Sequence, residues 1–392
     1  MKKIPETIYL DYAATTPLEP RVLEVMLPFF NVAFGNPSSA HYYGREAEAA
    51  IDSARGTVAN ALNCNIDEIV FTSCGTESDN LALRGVVFAT RMKRNANHVL
   101  ISPVEHHAVS HTAIQLAELH GIDIEFLPVD QYGRVDPTDV QKRLRSDTAI
   151  VSIIYGNNEI GTINPIKEIG EICREKQIPF HTDAVQAGSF LSLDVRKLNV
   201  DLLSIGAHKF YGPKGIGGLY ISKGTSIMPE ITGGNQEFGL RAGTHNVPYI
   251  VGLAEALSLA QKGCEIHLKK IINMRNGLIE AVLENIPDCQ LTGHPTERLP
   301  NHASFVFEGV DGNKLLMMLD VEGFACSSGS ACKTGDPKPS SVLLAMGFPS
   351  QVALGSLRVT LGINTTEEHI SRFANVLPKL VQQNRQLSSA KD

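Results

Sequence analysis

The chain has 392 residues, 43% apolar and 20% charged, enough at roughly 100–200 residues per domain for two domains with real cores. A small zinc module, a hormone and a disordered tail are excluded, and no run approaches the ~20 uninterrupted apolar residues of a membrane-spanning helix. With 35 Lys and Arg against 42 Asp and Glu, the net charge of −7 repels nucleic acid and anionic membrane, so any bound phosphate must be held by a local site.

At the N-terminus, Pro5 and Glu6 stand where a signal peptide needs roughly 7–15 apolar residues, so the expected location is the cytoplasm. From Ile69 to about Ile221, short apolar runs at 69–72, 98–101, 124–127, 150–154, 179–182, 202–205 and 218–221 alternate with helix-length amphipathic segments. Near-continuous apolar strands separated by helices predict an α/β fold, a mostly parallel seven-stranded sheet covered on both faces. Function is then expected at the carboxyl ends of the strands. After the Gly-rich stretch 233–243, one long helical pattern runs from about Val247 to Glu284. Strand-like 302–306, a Ser/Gly loop at 326–335, strand-like 357–360 and an amphipathic segment from Thr366 follow, and 382–392 reads as a loose polar end. The expected organisation is a large domain, 16–260, and a smaller α+β domain, 261–392, with 1–15 packing against the latter.

Seven cysteines, at 64, 74, 173, 264, 289, 326 and 332, form no CxxC pair and no metal-ligand spacing, so reduced core thiols and no resident metal are expected. Cys326 and Cys332 differ in flanking the small-residue run Ser327-Ser328-Gly329-Ser330-Ala331, where a thiol has little apolar cover. Lys333 beside Cys332 favours a nucleophilic thiolate, although a flexible turn holding an inert thiol has the same composition.

Several further groups can carry chemistry. Strand 69–72 runs through Ser73-Cys74-Gly75-Thr76 into a helix whose free N–H groups, with the Thr76 hydroxyl, suit one phosphate; an ordinary capped helix reads the same. Asp183, in Asp183-Ala184-Val185-Gln186, ends one strand, and Lys209, in Ala207-His208-Lys209, follows another about one βα unit later. An Asp and a Lys at the ends of separate parallel strands are what a pyridoxal phosphate site requires, the Lys for a Schiff base and the Asp to keep the pyridine nitrogen protonated. Singly, each is more ordinary as a helix cap and a surface lysine; beside a phosphate cradle the pairing favours the cofactor. In Glu105-His106-His107, just past strand 98–101, one imidazole can stack on a planar cofactor and move protons. Strand-borne Arg358 can clamp a carboxylate bidentately, or form a structural ion pair.

Together these residues resemble the fold-type I, class V pyridoxal phosphate enzymes, and specifically the NifS/IscS-type cysteine desulfurases. The likeness runs from Tyr9-Leu10-Asp11-Tyr12-Ala13-Ala14-Thr15-Thr16-Pro17 through Gly35-Asn36-Pro37, residues 72–80, Glu105-His106, Asn157-Asn158-Glu159, 183–186, His208-Lys209, Gly212-Pro213-Lys214-Gly215 and 239–244 to 327–332. It implies that Lys209 forms the Schiff base, that Asp183 serves the pyridine nitrogen, and that His106 stacks on the ring and relays protons. Asn158 and Gln186 would meet the cofactor's phenolic oxygen; Gly75, Thr76 and His208 would hold its phosphate, with only a backbone N–H left at Gly206, where the family usually has Ser. Thr244 would reach the phosphate of the other subunit's cofactor, which implies a homodimer with shared sites. Arg358, with Asn36 nearby, would hold the carboxylate of L-cysteine. Cys332, on a mobile loop, would attack the substrate sulfur, leaving alanine and a Cys332 persulfide for a sulfur-acceptor or iron–sulfur scaffold protein, with a transient iron–sulfur contact open to the same thiol. Two other departures are Asn235 and Phe238 in place of the usual Gly and Arg, and a polar tail without the apolar C-terminal extension of some members. The alternatives are a selenocysteine lyase, a class V aminotransferase, which needs no thiol, and a catalytically idle regulatory homologue, prompted by Gly206.

Overall fold

A computed structural model describes residues 7–262, 264–329 and 338–389. Its strands in chain order are β1 (Ile8–Tyr9), β2 (Ile69–Thr72), β3 (His98–Ile101), β4 (Asp123–Phe126), β5 (Thr148–Ser152), β6 (Phe180–Asp183), β7 (Leu202–Gly206), β8 (Gly217–Ile221), β9 (Cys289–Leu291), β10 (His302–Phe307), β11 (Phe324–Ala325) and β12 (Ser356–Thr360). The long helices used below are α1 (Tyr42–Leu62), α2 (Gly75–Arg94), α3 (His107–His120), α4 (Val247–Lys262), α5 (Cys264–Asn285) and α6 (Glu367–Ser389).

Seven strands form the main sheet in the order β2-β8-β7-β6-β5-β3-β4, and all seven apolar runs read from the sequence lie in it. β8 runs antiparallel to both β2 and β7, while the other pairings are parallel. β3, β5, β6 and β7 are buried at every residue, which is why their sequences read as apolar runs rather than alternations. Helices cover both faces. Leu81, Val86, Val109 and Leu116, from α2 and α3, close one side over Val99, Ile150 and Leu219; Ile51, Val58, Ile250 and Leu253, from α1 and α4, join the cluster on the other with Leu203 and Ile205.

A second apolar cluster gathers Ile8, Leu10, Leu278, Phe305, Phe324, Leu357, Phe373 and Leu377 around a three-stranded antiparallel sheet, β12-β10-β9. The N-terminal segment bridges the two clusters. β1 pairs with β11, the Ala13 N–H donates to Thr360 Oγ1 (2.9 Å), and the Thr16 N–H donates to the His208 carbonyl (2.9 Å). Residues 8–16 therefore lie between the small sheet and the end of β7, where Lys209 follows.

The helical pattern read from 247 to 284 is helix over Val247–Lys262 and Cys264–Asn285, and one detail differs from the sequence reading. The polar end read as loose continues α6 through Ser389, because Leu377, Leu380 and Val381 bury one face and the Asn384 side chain exchanges hydrogen bonds with the Asp311 backbone (3.0 Å each). No helix among the described residues is long and apolar enough to cross a membrane.

Candidate active site

The anion-binding end comes from β2, α2 and β7. Cys74, the residue capping α2, makes no side-chain cap hydrogen bond, so the first N–H groups of a 20-residue helix point outward beside buried Gly75 and exposed Thr76, the arrangement that suits an anion. Close approach requires glycine at 217: a Cβ there would lie 2.6 Å from the Cys74 carbonyl carbon. At Gly206 the backbone is extended (φ −136), and a Cβ would sit 3.6 Å from Gly75 N and 3.5 Å from Val185 Cγ1. These are ordinary contacts, so the position accepts a larger residue and faces the same cradle. His208 Nδ1 lies 3.2 Å from Thr15 Oγ1, and burial, helped by the charge on Lys209, pushes its imidazole down to about 4.

Lys209, Asp183 and His106 meet deeper in the cleft. The Lys209 ammonium donates to the Ala13 and Ala14 carbonyls (2.6 and 2.7 Å), an anchor formed by residues nearly 200 positions away. Burial, followed by the Arg358 charge, pushes its pKa down to about 8, while Asp183 and Asp11 oppose the shift. Near neutral pH a usable fraction of the amine is thus unprotonated, as a carbonyl-binding lysine requires. The Gln186 amide donates to the same Ala13 carbonyl (2.8 Å). Asp183 is 4% exposed; burial raises its pKa, opposed by His106, the Val185 N–H (2.9 Å) and Lys209. His106 caps α3, its Nδ1 accepting the Ala108 N–H (3.1 Å). That contact leaves Nε2 to carry the ring proton in the neutral form, and burial of the ring, despite one exposed edge, lowers its pKa. One ligand atom each of Asp79, His106 and Asp183 lies within 4.8 Å of the others.

The third part belongs to the small sheet. Arg358, on β12, donates through Nη2 to Asp11 Oδ1 (2.8 Å) and through Nη1 to the Asn158 carbonyl (2.8 Å), and its buried Nε has no hydrogen-bond partner. Asn158 thus enters this network through its backbone, which also faces His302 Nε2 at 3.3 Å. The other Asp11 oxygen accepts the Ser327 hydroxyl (2.7 Å), and Ser327 pairs by backbone with Arg358. Asn36 is exposed, and its amide oxygen takes the Ser38 N–H (3.0 Å) rather than an Arg358 donor. Cys326 is pinned against the second core cluster, and burial pushes its thiol far above the ordinary range, which unfits it as a nucleophile. Cys332 lies outside the described residues.

Thr244 is exposed on a segment anchored at Glu237. That carboxylate takes a bidentate ion pair from Arg55 (2.8 and 2.9 Å) and accepts from the Phe71 N–H and His245 Nε2 (2.8 Å each). Glu237 and Phe238 hold left-handed backbone (φ 48 and 58), and the Phe238 ring lies under the Arg55 guanidinium at 5.1 Å, so the Phe at this position has a structural use.

Sequence reasoning gave no role to Asp11 or Asp79. Asp11 stood inside the quoted 9–17 motif, but its partners lie more than 300 residues away. Asp79 falls one turn after Gly75 on the same helix face, a spacing that is legible once α2 is placed over β6.

The residues fit pyridoxal phosphate: an uncapped helix terminus for a phosphate, a buried amine of lowered pKa, and a buried carboxylate for a pyridine nitrogen stand at the ends of β2, β7 and β6. Comparison with known proteins agrees. Residues 8–373 match the aminotransferase class-V family. The cysteine desulfurase IscS of Methanosarcina thermophila is 48% identical over 383 residues, 98% of this chain and 94% of its own length. That of Dictyoglomus turgidum is 48% identical over 384 residues, 98% and 97% of the two chains. Among solved structures, a NifS-like protein superposes with a TM-score of 0.89 at 36% identity, covering 96% of this chain and all of the other (100%). SspA in complex with cysteine gives 0.80 at 35%, over 91% and 99%.

Proposed function

The chain belongs to the class V aminotransferase family, with cysteine desulfurases as its relatives, and from that premise we propose that it is a pyridoxal-phosphate-dependent cysteine desulfurase converting L-cysteine to L-alanine. The observation that carries this reading is the convergence of Lys209 and Asp183 on the cleft beside the uncapped start of α2. When bound, the cofactor supplies an electron sink that weakens bonds to the substrate's α-carbon.

The chain's own residues do the rest. Gly75, Thr76, His208 and the backbone N–H of Gly206 hold the phosphate. Lys209 anchors the cofactor through its amine and later carries a proton to or from the substrate carbon. Asp183 keeps the pyridine nitrogen protonated, Asn158 and Gln186 steady the phenolic oxygen, and His106 stacks on the ring and moves protons through Nε2. Arg358, assisted by Asn36, receives the substrate carboxylate through its guanidinium. The Cys332 thiolate then attacks the substrate sulfur: an S–S bond forms, the C–S bond breaks, and its electron pair stays with the carbon that takes a proton to become the methyl of alanine. The persulfide on Cys332 is the cargo for an acceptor protein.

Residues 16–260 read as the cofactor-binding domain and 261–392, with 1–15, as the smaller one. A second copy of the chain completes the site through Thr244. Supporting this, Leu27, Phe30, Val32, Phe34 and Tyr42 leave half or more of their surface exposed (52–68%), and Phe30 packs edge-on against Tyr249 at 6.3 Å, five positions from Thr244. A cytoplasmic setting agrees with five unpaired cysteines among the described residues.

The test is direct. The purified chain should carry a visible cofactor absorbance and form alanine from L-cysteine, and Lys209→Ala should lose both the covalently held cofactor and turnover. Alanine formation undiminished in Lys209→Ala would refute the reading.

A further inference from the structure

Asp79, on α2, and Asp183, at the end of β6, are 1% and 4% exposed, and their oxygens lie within 4.8 Å of each other and of a His106 nitrogen. Two carboxylate anions confined in so dry a space repel strongly, and a single shared proton relieves them. The surroundings accommodate one negative charge. His106 and, more weakly, the amine of Lys209 favour the anion of Asp183, whereas His181, which faces Asp79 Oδ1 at 3.6 Å, is fully buried and held neutral, its pKa pushed down to about 3.

The hydrogen bonds decide which carboxyl keeps the proton. Asp183 Oδ1 accepts the Val185 N–H (2.9 Å), a donor that favours the anion. Asp79 Oδ1 is buried with no hydrogen-bond partner, which is costly for an anionic oxygen and tolerable for a neutral acid. The groups facing Asp79 agree: Asp183, Glu105 and Cys74 oppose its ionisation, and a Ser204 hydroxyl alone favours it. Ser204 is itself 3.0 Å from His181 Nε2, and His181 Nδ1 is engaged with Ser152 Oγ at 2.8 Å, so no imidazolium at His181 compensates a charge on Asp79.

We infer that Asp79 holds a proton in the resting protein and thereby leaves Asp183 as the only anion of the buried pair. Asp79 is then a positioning residue that fixes where the pair's charge resides; the inference rests on the role given above to Asp183. It implies that the two carboxyls, equal in chemistry and adjacent in space, respond oppositely to the same substitution. Asp79→Asn replaces a neutral acid by a neutral amide of like shape, whereas Asp183→Asn removes the charge.

Infrared difference spectra of the holoenzyme at neutral pH test this. The parent minus Asp79→Asn should show loss of a protonated-carboxyl C=O stretch and no loss of carboxylate bands, and the parent minus Asp183→Asn should show loss of carboxylate. Cofactor affinity, read from absorbance after dialysis, should stay within about threefold in Asp79→Asn. Loss of carboxylate bands in Asp79→Asn, or affinity weakened by about tenfold or more, would overturn the inference. In the unsubstituted chain labelled with 13C-carboxyl aspartate, one signal should remain at its protonated position at neutral pH; the absence of any such signal would overturn it without need of a variant. Should Asp183→Asn bind cofactor and turn over like the parent while the bands behave as expected, the role of Asp183 fails and the proton on Asp79 stands.

Discussion

The phosphate end of the cleft and the substrate-carboxylate end are assembled differently. The first uses a helix start and the ends of β2 and β7, so each group sits within a few residues of a strand terminus, and the main chain itself supplies much of the binding. The second depends on side chains that meet across the sequence: Arg358 and Asp11 are 347 positions apart, and Ser327 and Asp11 are 316 apart. A site of the first kind should lose function gradually as single donors are removed. One of the second kind depends on a few contacts, each of which orients another.

The largest expected effect lies at neither end. Cys332→Ala should keep bound cofactor and abolish alanine formation, because the thiolate acts after substrate has bound. Cys326→Ala should be close to silent, and the reverse outcome would move the nucleophile to Cys326. Next, Asp183→Asn should retain cofactor through Lys209 and the phosphate cradle yet lower kcat by more than about tenfold, roughly 1.4 kcal/mol of barrier. Activity closer to the parent would mean that another group serves the pyridine nitrogen.

Asp11→Asn probes the carboxylate end. Losing the anion that orients Arg358 should raise KM for cysteine by about tenfold with a smaller change in kcat. A fall in KM would instead make Asp11 a competitor for the guanidinium. At the phosphate end, Gly206→Ser should slow cofactor loss on dialysis by about threefold to tenfold, the worth of one net hydrogen bond, since the extended backbone there accepts a side chain. Thr244→Val should hasten that loss where a second copy completes the site, as proposed above.

The smallest effect concerns Glu159, which accepts from Ser340 and whose carboxyl burial pushes from 4.5 up to about 7. A raised carboxyl pKa contributes stability that is fully present below about 4.5 and lost as pH rises through about 7. Denaturation midpoints should therefore fall across that window, and Glu159→Gln should flatten the slope.

The difference between the two ends also explains what could be read from the sequence. Six of the seven strands were legible because burial on both faces leaves apolar runs, β4 being the partly exposed exception, and Gly75, Asp183 and Lys209 because each lies at or just past the end of such a run. Asp11 was invisible as a partner of Arg358, since no periodicity links residues so far apart. The orphaned oxygen of Asp79 depends on how α2 lies over β6, which packing decides. Asn384 looked like part of a polar tail, yet its two hydrogen bonds to the Asp311 backbone hold the end of α6 in place.

The central claim is that sulfur leaves cysteine at the Lys209 site and comes to rest on Cys332. The most direct measurement is peptide mass spectrometry of the holoenzyme after brief incubation with L-cysteine and alkylation of free thiols, with alanine quantified in the same sample. The expected result is one added sulfur on the peptide bearing Cys332, absent from the other cysteines and absent in Lys209→Ala, with alanine formed in at least equal amount. Alanine produced with no added sulfur on Cys332, or sulfur found on Cys326 instead, would contradict it.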